Sequence, residues 1–125
     1  MEKKQCGQAL ITLLIFVVVA TIITSGAIIM LFVNSLTANK LQQGVTAYYI
    51  AESGVENALL RLLRDPNYSG ETMAVGSGSV TVSVTGGSEK VIASSGRTGN
   101  FIRKLEARTN FNNNIFTITS WTEVN

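Results

Sequence analysis

Between Lys4 and Lys40 the chain contains no Asp, Glu, Lys or Arg. The centre of that stretch, Ala9 to Val33, reads ALITLLIFVVVATIITSGAIIMLFV. A helix needs about 20 predominantly apolar residues to cross a bilayer, and this run exceeds that length. It is apolar on every side, so a water-soluble fold would have to enclose it completely. The chain has 125 residues in all, and what remains is too short for that task. The sequence therefore predicts a membrane or a helix bundle as its surroundings. Lys3 and Lys4 precede the run and Lys40 follows at a distance, so the positive-inside rule keeps the N-terminus cytoplasmic and exports the rest. A cleavable secretory signal has an apolar region of about 7–15 residues before a small-x-small site. This run is longer, and Leu36-Thr37-Ala38 is a poor site. Cys6 precedes the run, whereas a lipid-modified cysteine would follow one.

Composition narrows the chemistry. There is no His and one Cys, which excludes Ser-His-Asp and Cys-His catalysis, His-ligated metals, an internal disulfide and a Cys-rich zinc site. Ten Lys+Arg against eight Asp+Glu give a net charge of +2, far from the basic excess of a nucleic-acid-coating protein. No nucleophile constellation or working carboxylate pair is present, so an enzyme is not expected, nor a cofactor or metal.

The helical pattern continues past the apolar run. Ala47, Ile50, Ala51, Val55, Ala58, Leu59 and Leu62 recur at the spacing of a helix with one buried face. Glu52, Glu56, Asn57 and Arg61 take the other faces. Asp65-Pro66 ends the pattern, because a residue before proline avoids the helical region. A polar joint from Asn34 to Gly44 links the two patterns, with Gly26 and Gly44 the weakest points for continuity. A continuous helix from Gln8 to Arg64 would be about 85 Å long at ~1.5 Å per residue, longer than a bilayer is thick.

After Pro66 the pattern becomes that of strands. Val80, Val82 and Val84 alternate with hydroxyl residues. Further strands are expected at Glu89–Ser95, Phe101–Thr109 and Ile115–Trp121. Gly86-Gly87, a loop from Gly96 to Asn100 and the turn Asn112-Asn113-Asn114 would separate them, and Gly76-Ser77-Gly78 also reads as a turn. Phe101, Arg103, Leu105 and Ala107 share one face of their strand, and Ile102, Lys104, Glu106 and Arg108 the other. Short turns favour an antiparallel meander, and the amphipathic helix is the available cover for its apolar face. The expected fold is α+β: a long N-terminal helix, transmembrane then amphipathic, packed on a small antiparallel sheet.

A basic leader, a glycine, a long apolar helix, an amphipathic extension and a small sheet together resemble a type IV pilin or pseudopilin precursor. The leader Lys3-Lys4-Gln5-Cys6-Gly7 resembles a prepilin leader. Ala47-Tyr48-Tyr49-Ile50-Ala51-Glu52-Ser53-Gly54-Val55-Glu56 resembles a segment of pilins of the PilX-like minor class. The resemblance implies a leader (residues 1–7), a transmembrane assembly helix (8–33), an amphipathic extension (34–65) and a sheet domain (66–125). It implies that a prepilin peptidase recognises Lys3 and Lys4 and cuts between Gly7 and Gln8, usually methylating the new terminus. The partners it implies are the membrane before assembly, an assembly platform, and other pilin subunits joined through helix packing. Small and hydroxyl residues at Ala9, Thr12, Ala20, Thr21, Thr24, Ser25, Gly26 and Ala27 suit close packing and equally suit an ordinary membrane helix. Two positions depart from the pattern. Thr12 stands where most pilins carry a Glu, which points to a minor or initiating subunit. Gln8 stands where Phe is usual, which leaves its methylation open. Thr24-Ser25-Gly26 is the expected site of any helix melting during assembly. The alternative is a signal-anchored, single-pass membrane protein whose β domain binds a partner.

Weaker motifs have plainer explanations. Asp65-x-Asn67-x-Ser69-Gly70 copies the start of a calcium loop, but Gly76 occupies the place of the bidentate acid, and a helix-stop turn explains the same residues. Arg97, Arg103, Lys104 and Arg108 with Phe101 and Phe111 would be the strip used for DNA. Glu106 interrupts it, and nucleic acid is not an expected partner. Trp121 reads as a core or helix–sheet contact. Glu52 and Glu56 share a helix face that meets either water or a neighbouring subunit.

Overall fold

The charge-free stretch between Lys4 and Lys40 and the helical spacing after it belong to one α-helix, α1, from Glu2 to Arg64. The structure, a computed structural model, describes residues 2–113 and 115–125, with side chains from Gly7 onward. The polar joint from Asn34 to Gly44 is helical, as are Thr24, Ser25 and Gly26. Five strands follow: β1 Gly70–Val75, β2 Gly78–Gly86, β3 Glu89–Thr98, β4 Phe101–Asn112 and β5 Ile115–Val124. They form one antiparallel sheet in the order β1-β2-β3-β4-β5, the expected meander. The fold is α+β. The chain divides into two units, Met1–Asn39 and Lys40–Asn125.

In the first unit the large apolar side chains from Leu10 to Val33 are 48–73% exposed. The hydroxyls of this unit turn back on the helix. Thr12, Thr21, Thr24, Ser25 and Thr37 each donate to a carbonyl four residues earlier, at 2.7–2.9 Å. Such bonds satisfy a hydroxyl without any outside partner, so these side chains can enter an apolar medium at little polar cost.

In the second unit the helix segment packs on the sheet through the face that its spacing predicts. Ile50, Ala51, Val55, Ala58 and Leu62 form a core with Val80, Val82, Val84, Ile92, Leu105 and Ala107. Two glycines set how closely the layers approach. A Cβ on Gly96 would collide with the helix backbone at Ala47 and Ala51, and one on Gly54 with Ser94 and Val80. Ser94, fully buried, donates to Ala51 O at 2.7 Å. Beyond Arg64 the helix stops at Asp65, whose N–H donates to Arg61 O at 2.8 Å.

Four sequence expectations change. Residues 96–98 belong to β3 and are not loop; Gly96 is there because the helix crosses directly above it. β1 was not foreseen, since GETMAV alternates weakly and gains its place through pairing with β2. Asn57 and Arg61 do not face away from the sheet but reach β1, as described below. β4 and β5 extend beyond Thr109 and Trp121, to Asn112 and Val124. Asn113 adopts a left-handed φ of 52° in the turn between them, which asparagine tolerates; Asn114 lies outside the described residues.

Candidate functional site

Two regions carry whatever this chain does: the uncovered apolar helix with its N-terminal segment, and the surface of the sheet unit. Gly7 and Gln8 are helical and exposed, and a Cβ placed on Gly7 would meet nothing within 4 Å. Among the described residues, no packing or backbone conformation therefore requires glycine at this position. The side chains of Lys3 and Lys4, the expected leader recognition residues, lie outside the described residues, as does that of Cys6. Thr12 is exposed, and its Oγ1 donates to Gln8 O at 2.9 Å. The hydroxyl is thus engaged with the carbonyl of Gln8, and it brings no charge to that place.

The sheet unit closes its open end with a polar cluster. Arg61 pairs with Glu71 at 2.9 Å. Tyr68 Oη donates to the same carboxylate at 3.1 Å, and Asn57 Nδ2 donates to it at 3.2 Å. Partial burial, then the Glu71 hydrogen bond and charge, raise the Tyr68 pKa above 10.0, while Arg61 opposes the rise. The cluster fastens β1 to the helix. Asp65 Oδ1 accepts from Asn67 N–H at 2.9 Å, so the calcium-like segment forms an Asx turn, and Glu71 is committed to Arg61. Among the described residues no group of three or more His, Cys, Asp or Glu gathers.

The basic residues do not share one face. The β3–β4 pairing sets Arg97 opposite Ile102 and Lys104 opposite Ser95, on the outer face. Arg108 lies on that face too, but pairs with Glu106 at 3.0 Å. Arg103 is on the helix side and pairs with Glu123 on β5 at 2.8 Å. Trp121, partly buried, packs against the core. Glu56 is exposed and Glu52 half-buried. What the sequence did not reveal is the tie between Asn57, Arg61 and Glu71. It depends on β1, whose pairing is not legible from its own residues.

The chain matches no protein-family model, no curated protein and no solved structure. By length and composition α1 is able to cross a membrane.

Proposed function

We propose that this protein is a structural subunit of a type IV pilus or pseudopilus, of minor or tip-associated rank. In this reading a prepilin peptidase cuts between Gly7 and Gln8, and the apolar helix then moves from the inner membrane into a bundle of subunit helices in an extracellular fibre. The observation that carries the reading is the helix from Leu10 to Val33, wholly apolar outside and self-satisfied in its hydroxyls. Such a helix is equally at home in lipid and among other apolar helices. A lone anchor needs only the first environment. The leader motif and the Ala47–Glu56 segment supply the second part of the support, through their resemblance to pilin precursors.

Gly7 gives the direct test. Among the described residues nothing demands a glycine there, so in this reading the requirement for it comes from an outside agent that grips the backbone. Gly7→Leu is expected to leave the fold and membrane insertion intact while blocking loss of the leader, which a mass shift on the membrane fraction reads. Normal trimming of Gly7→Leu would overturn the processing claim and leave an anchored β domain.

A further inference from the structure

The sheet has two edges, and they are built differently. β1 is short, six residues, and is fastened to the helix through Asn57 and Arg61. β5 is ten residues long and reads IFTITSWTEV. Edge strands are ordinarily blunted by lysine, proline or brevity; β5 has none of these. Its one charge, Glu123, is neutralised by Arg103. Among the described residues, the exposed large apolar side chains of the sheet fall on β4 and β5, with Ile115 at 65%, Ile118 at 46% and Val124 at 40%.

A bulge in β5 determines what can pair with it. Arg108 lies opposite Ser120 and Thr109 opposite Ile118, so Thr119 is an extra residue at the register shift. Ahead of the bulge, Phe116 and Ile118 share the helix side with Phe111 and Thr109; after it, Trp121 and Glu123 share that side with Ala107 and Leu105. Ile115, Thr117, Ser120, Thr122 and Val124 take the outer face, and Thr119 Oγ1 bonds Arg108 O. The pattern of faces is therefore the same read from either end, about the midpoint between Thr119 and Ser120. A bulge usually turns an edge away from partners, but at the centre of a strand it gives this symmetry.

We infer that β5 is a self-pairing edge, through which two copies of this chain join antiparallel about that midpoint into one continuous sheet. A two-fold axis normal to the sheet reverses strand direction and keeps each face on its own side, as an isologous contact requires. In this register Ile118 lies opposite Trp121 of the second copy, Ile115 opposite Val124, Thr117 opposite Thr122, and Thr119 opposite Ser120. Phe116 lies opposite Glu123. Apart from Phe116 and Glu123, apolar groups meet apolar groups and hydroxyls meet hydroxyls, and no like charges oppose each other. A slip of one residue sets inward side chains against outward ones. The axis also reverses the helix segment 40–64, so the paired copies run in opposite directions. This contact is distinct from the helix packing of the proposed fibre. It goes beyond the proposed function and does not depend on leader removal.

The test uses the full chain in detergent with Cys6→Ser, so that introduced thiols stand alone. Thr117→Cys and Thr122→Cys are made separately; both sites are exposed threonines that tolerate exchange. Under mild oxidation the equimolar mixture is expected to give a disulfide dimer, and each variant alone is expected to give none, because neither residue faces itself across the axis. Ile118→Lys added to either member should abolish the dimer of the mixture. No dimer in the mixture, or equal dimer from each variant alone, would overturn the proposal.

Discussion

Ser94 is fully buried where helix meets sheet, and its hydroxyl donates to Ala51 O. Loss of one neutral hydrogen bond of this kind costs about 1 kcal/mol. Ser94→Ala is therefore expected to lower the Tm of the sheet unit by about 4–8 °C, the shift per kcal/mol for a domain of this size. Gly96→Ala should cost more, roughly 1–3 kcal/mol for overpacking, because its methyl would meet helix backbone and not a movable side chain. Thermal melts of both variants in detergent check the order, and a harmless Gly96→Ala would contradict the close-approach account. Gly96 also shows why residue-scale reading falters. With Gly99 nearby, it reads as part of a loop; in space it is a strand residue chosen for the absence of a side chain. In the proposed fibre, an amine at Gln8 would lack a carboxylate partner at Thr12, at an energetic cost. Thr12→Glu is expected to raise the share of this subunit in isolated fibres, measured by quantitative mass spectrometry against its companions. An unchanged share would contradict that role.

At the scale of elements, legibility follows how strongly each segment repeats. The charge-free run and the spacing from Ala47 to Leu62 specify α1, and the Val80-Val82-Val84 alternation specifies β2. β1 has no such signal; four of its six residues are small or polar, and it exists because β2 pairs with it and Glu71 anchors it to Asn57 and Arg61. A short edge strand held this way should open before the rest of the sheet. Glu71→Ala is expected to speed amide exchange across residues 70–75 while leaving β3 and β4 protected. Uniform loss of protection across the sheet would show that β1 is integral to the global fold, contrary to this account. The bulge in β5 was likewise invisible, since apart from Ser120 and Glu123 its sequence reads as a run of β-branched and aromatic residues.

The molecule as a whole combines two incompatible demands on solvent. Residues 40–125 bury a core of their own under one helix face. The apolar helix ahead of them buries nothing within the chain and needs lipid or other helices to cover it. The proposed fibre subunit would reconcile the two by exchanging one apolar environment for another after loss of its leader. The most direct test is the intact mass and N-terminal sequence of the protein sheared from the cell surface. The account predicts a chain that begins at Gln8 in that fraction. A chain that begins at Met1 and is confined to membranes would contradict it.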